Sequence, residues 1–120
     1  MLTIDLMKTM EPDVLDKTLT EIYTHTVPIC IDTIEEMVDA GKLMSTIANE
    51  YSFLMSALSS FKIMTKVLKE NKDKDASKMA MRRDSIESAV ERLKFQYGAI
   101  SRLITIKQQI NYELKMTGAM

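Results

Sequence analysis

Histidine and cysteine are the side chains best suited to ligating a metal or carrying a nucleophilic step, and this chain has one of each. His25 and Cys30 stand close together, with Glu21 and Asp32 as possible acidic neighbours. Zinc takes four ligands in recognisable pairs, and Pro28 between the two residues sets no such geometry. There is also no glycine-rich phosphate loop and no nucleophile motif. The pair therefore reads as a helix-end histidine and a buried thiol. No metal, cofactor or catalytic residue is expected, and the chain is expected not to be an enzyme.

The basic residues carry more information. Between Lys62 and Arg83 stand eight bases, Lys62, Lys66, Lys69, Lys72, Lys74, Lys78, Arg82 and Arg83, against three acids, Glu70, Asp73 and Asp75. Lys62, Lys66 and Lys69 follow helical spacing and share one stripe, and Lys78 and Arg82 stack on another. Bases gathered in this way can grip a phosphate backbone without regard to base sequence. No aromatic lies among them to stack bases, so a solvated lysine face beside a helical seam remains the other reading.

Long helices are needed to position this set, and the composition favours them: three Gly, two Pro and no Trp in 120 residues. Met44, Ile47, Tyr51, Leu54, Leu58, Phe61, Thr65 and Leu68 alternate spacings of three and four, the seam of a coiled coil. The stretch from Glu70 to Asp75 has no apolar residue and is rich in Asn and Asp, which places a hairpin bend near 70–76. A second arm follows, with Met79, Ile86, Val90, Leu93, Tyr97, Ile100 and Ile104 as its heptad. Gly98, inside this arm, marks either a kink or the close approach of a neighbouring helix. The fold class is all-α: a long antiparallel helical hairpin, coiled-coil-like, with a short N-terminal helical head.

Upstream, Glu11-Pro12-Asp13 predicts a helix start, and a helix from about Pro12 to His25 follows. Val27-Pro28 interrupts it, and a second short helix is expected from Pro28 to about Ala40, terminated by Gly41. Residues 1–41 then form an acidic head and 42–120 the hairpin, within a single domain. Because the heptads begin at Met44, the hairpin is expected to fold without the head. Of the eleven methionines, Met7, Met10 and Met37 are the candidates for a partner surface, since flexible thioethers suit adaptable contacts.

Charge divides the chain. Residues 1–50 carry a net −7 and residues 51–120 a net +6, a polarity that fits an acidic surface for protein and a basic one for an anion, or two halves that neutralise each other. The single cysteine and the lack of a leader pattern suggest a cytoplasmic protein, and no apolar run is long enough to span a bilayer. Past Gly98 the apolar set Ile100, Leu103, Ile104, Ile106 and Ile110 covers more than one stripe, which predicts a homo-oligomer interface.

Ile100-Ser101-Arg102, Ile106-Lys107, Ile110, Tyr112 and Thr117-Gly118 together resemble the closing helix of phage recombination mediators of the UvsY type. The resemblance covers about the last 20 residues. It implies a mediator that works in the host cytoplasm, binds single-stranded DNA, displaces single-strand-binding protein and loads a RecA-like recombinase, with the long last helix driving assembly. Leu103 stands where the family usually has Gly, and Tyr112 where it commonly has Trp. The Tyr-Tyr-Ser-Gly turn that follows the family's DNA-binding helix is absent, so the candidate DNA contacts rest on charge spacing. A helical adaptor, chaperone or inhibitor that binds a protein and no nucleic acid is the rival expectation.

Overall fold

A computed structural model describes residues 2–118 as four helices and no strand: α1 (Ile4–Thr9), α2 (Pro12–Ile22), α3 (Ile34–Glu70) and α4 (Ala76–Met116). The two long helices pack antiparallel as a hairpin, and the molecule is a rod of 69 × 23 × 17 Å. No described helix is long and apolar enough to cross a membrane.

The first arm is longer than the sequence reading allowed. Pro28 starts no helix, and α2 ends at Ile22 rather than near His25. Thr33 begins α3 instead: its Oγ1 accepts the Glu36 N–H at 3.1 Å, while its hydroxyl donates to Glu36 Oε1 at 3.0 Å. Thr33-Ile34-Glu35-Glu36 is thus a capping signature, and the Thr33 hydroxyl gives the first-turn Glu36 N–H the partner that no helix carbonyl supplies there. Gly41 is helical and does not terminate anything. The seam runs straight through it, because Met37 and Ala40 extend the three-four spacing upstream of Met44. The boundary between head and hairpin at 41 is therefore absent.

The bend at 71–75 is where the charged stretch puts it, and its bonds explain its shape. Lys72 N–H donates to the Lys69 carbonyl at 3.1 Å, and Asp73 N–H to the Leu68 carbonyl at 2.9 Å. This paired closure of a helix end needs one left-handed residue, usually glycine, and here Lys72 takes it at φ 53°. Asp73 Oδ1 then accepts the Asp75 N–H at 2.8 Å, turning the chain into α4.

The interior lies between the arms. Ile47, Leu54, Leu58, Phe61 and Thr65 from α3 meet Ile86, Val90, Leu93 and Ile100 from α4. Thr65, the one polar member of the first seam, is satisfied by donating to the Phe61 carbonyl at 2.6 Å. In the second arm Gln96 takes the buried position expected for Tyr97, which is exposed instead. A two-helix hairpin leaves one side of its seam wet, and the N-terminal segment covers that side. Met7, Leu15, Leu19, Tyr23 and Ile31 all enter the same core. Burying Leu15 and Leu19 alone contributes about 3–6 kcal/mol on the scale of full leucine burial. Met7 is fully buried, and Met10 and Met37 are half-buried and pack against the core, with Met37 also lining a surface depression beside Lys107 and Tyr112.

Continuity of α3 through Gly41 has a measurable consequence. A Cβ built there meets nothing within 4 Å, and the backbone is not left-handed. Gly41→Ala is expected to raise stability by about 0.5–1 kcal/mol in urea unfolding, since alanine loses less backbone entropy in a helix interior. A left-handed terminator at this position would instead make the substitution destabilising.

Candidate nucleic-acid interface

The eight bases singled out in the sequence occupy three different environments. Lys62, Lys66 and Lys69 lie along the last turns of α3, and Lys72 and Lys74 on the bend itself; all five are exposed. None of the five forms an ion pair among the described residues. The acids beside them do not neutralise them by contact, and Asp73 is engaged with a backbone amide. Helix α3 ends in the direction of its own negative dipole, which favours Lys69 in the last turn. The result is an exposed cluster of ammonium groups at one end of the rod.

Of the remaining three bases, Arg82 belongs to the framework, and Lys78 and Arg83 form ion pairs at the surface. Arg82 is only 7% exposed, and its Nε donates to the Met10 carbonyl at 2.8 Å. It faces into the hairpin because it falls in the same three-four register as Ile86, Ala89 and Leu93. Charge counting placed it with the tip; seam register places it inside, holding down the turn between α1 and α2. Lys78 Nζ pairs with Glu11 Oε2 at 3.3 Å, and Arg83 Nη2 with Asp84 Oδ1 at 3.0 Å. Both pairs are partly in water and contribute little to stability.

Further along α4 the framework continues in residues that the sequence reading did not single out. Gln96 Nε2 donates to the His25 carbonyl at 3.0 Å and its Oε1 accepts the His25 N–H at 3.3 Å. The His25 imidazole meets Glu50 of α3 at 2.5 Å, which ties the loop to both arms. Arg92 Nε reaches the Tyr23 carbonyl at 3.4 Å. Burial, and then the charge of Glu50, push the Tyr23 phenol above its ordinary value. The signal for Arg82 and Gln96 was present in the sequence, as polar residues at seam positions of an otherwise apolar repeat.

His25 is thus engaged in structure, and the described residues contain no group of three or more His, Cys, Asp or Glu placed to hold a metal. Cys30 is exposed rather than buried. Its thiol donates to Asp32 Oδ2 at 3.2 Å. That bond, with the negative charge behind it, holds the thiol above its ordinary value and keeps it protonated.

The expected oligomer surface divides in a similar way. Ile100 is fully buried within the subunit, and Leu103 and Ile104 pack against its core, so these three cover the subunit's own hairpin. Ile106 and Ile110 stay open, at 48% and 45% exposure. No family model matches this chain, and neither a curated protein nor a solved structure matches it.

The two kinds of base are separable by experiment. Arg82→Ala deletes a charged hydrogen bond and strands the Met10 carbonyl, so unfolding by urea should show a loss of about 2 kcal/mol. Lys66→Ala and Lys69→Ala, on the solvent side, should each change stability by less than about 0.5 kcal/mol. Equal losses at all three positions would contradict this division.

Proposed function

We propose that this chain is a non-enzymatic recombination mediator that grips single-stranded DNA with its hairpin tip and assists the loading of a RecA-like recombinase. The observation that carries the DNA half of this reading is the cluster of Lys62, Lys66, Lys69, Lys72 and Lys74, exposed at one end of the rod and in no ion pair among the described residues. Lys72 adds weight, because a left-handed residue at that turn is easier for glycine, by about 1 kcal/mol, and the chain keeps a cation there. The recombinase half, with displacement of single-strand-binding protein, rests on the resemblance of the closing helix to phage mediators. Homo-oligomerisation and a cytoplasmic setting belong to the same proposal.

The tip suits a backbone, not a sequence. Ammonium groups on long stems follow an irregular phosphate path, and the tip presents no aromatic ring for base stacking. Leu6, Val14 and Ile22, exposed on α1 and α2, favour the rival adaptor reading, in which an apolar partner docks on the head.

Salt separates the two. If the five lysines meet phosphates, the logarithm of affinity for single-stranded DNA should fall against log salt with a slope of about −3 to −4 per subunit. Lys66→Glu with Lys69→Glu should weaken binding and flatten that slope while the helical spectrum stays unchanged. Failure of the unmodified protein to bind single strands even at low salt would reject the DNA reading and favour the adaptor.

A further inference from the structure

The face of α4 that points away from the hairpin has its own pattern. Phe95 is 78% exposed near the middle of α4. One turn on, Gly98 leaves a gap: a Cβ placed there meets nothing within 4 Å, so no helix of the same subunit uses the opening. Glu91, Lys94, Phe95, Gly98, Ala99 and Arg102 line a shallow depression of about 360 Å³ at this point. Glu91 and Arg102 are exposed, and neither forms an ion pair among the described residues.

We propose that a second copy of this chain docks here, α4 against α4 in antiparallel sense, with Phe95 of each copy seated over Gly98 of the other. The argument is self-complementarity. An antiparallel twofold axis that sets Phe95 opposite the partner's Gly98 also sets Glu91 opposite the partner's Arg102, and both contacts occur twice by symmetry. Residues 91, 95, 98 and 102 are spaced four, three and four apart, so they share one stripe. Shifting the partner by three residues one way sets Phe95 on Phe95 but puts Glu91 opposite Ala99 and Arg102 opposite Ser88; three residues the other way puts Arg102 opposite Lys94 and leaves Glu91 without a base. The glycine allows the backbones to approach, and the ring fills the space a side chain would have taken.

Such a pair has a definite shape. Its axis falls between residues 96 and 97, more than twenty residues from the bend, so the two basic tips point in opposite directions about 70 Å apart. The docking face itself is independent of the DNA reading.

Sedimentation velocity of the full chain without DNA, over a concentration series, tests the contact. The parent protein should show a reversible monomer-dimer equilibrium. Phe95→Ala should weaken it about tenfold or more. Glu91→Arg and Arg102→Glu should each weaken or abolish pairing, by setting like charges together twice. Mixing those two variants should restore dimers, since each then offers the charge the other lacks. Circular dichroism should find all three variants as helical as the parent, because the positions are exposed. A parent that is monomeric throughout, variants that associate as strongly as the parent, or single reversals that mixing does not rescue would each overturn the proposal. These outcomes leave the salt dependence of DNA binding untouched, so the two readings fail separately.

Discussion

Two polar side chains stand where a helical hairpin would ordinarily carry leucine. Arg82 and Gln96 occupy seam positions of α4 and face the interior, and each is satisfied by the backbone of the N-terminal segment rather than by the opposite arm. An apolar residue at either place would bury equally well in several alignments. Gln96 is satisfied only where His25 presents both its N–H and its carbonyl, so α2 can lie along the hairpin in one register. The arrangement of the remaining core follows: Met7, Leu15, Leu19 and Tyr23 cover the open side of the seam because these bonds hold the two ends of their segment. A stranded polar group in this interior costs about 1–3 kcal/mol, which is what makes the wrong register unfavourable.

The same division of labour shapes the surface. Arg82, with a place in the seam register, is absorbed into the framework, and Lys78 and Arg83, with an acid in contact, are paired at the surface. Those past Phe61 on α3 and in the bend are in neither position, and among the described residues they form no ion pair. The bend concentrates them further, because its helix closure puts Lys72 and Lys74 at the very end of the rod.

Much of this was legible in the residues. The spacing from Met44 to Leu68 and the charged stretch after it predict the arms and the bend, since periodicity over many turns is a strong signal. The start of α3 was misread because Gly41 is a common terminator and Pro28 a common first residue. The stronger evidence was Thr33 with Glu36, together with Met37 and Ala40 continuing the spacing. Local signals compete, and the seam won because extending it buried Ala40. Arg82 was assigned to the surface by its charge, and Ile100 to an interface by its apolarity. Both assignments needed the direction each residue faces, which depends on the register of α4 against α2 and α3. His25 and Gln96 are far apart in sequence, and nothing local pairs them.

Native-state hydrogen exchange of Gln96→Leu addresses the central claim, that the polar seam positions of α4 hold the N-terminal segment in place. Amides of α2 should lose protection by about tenfold or more, as one or two lost buried bonds imply. Amides in the middle of α3 and α4 should keep theirs, because the apolar seam between the arms is intact. Unchanged protection in α2 would contradict the account, and so would an equal loss along the whole chain.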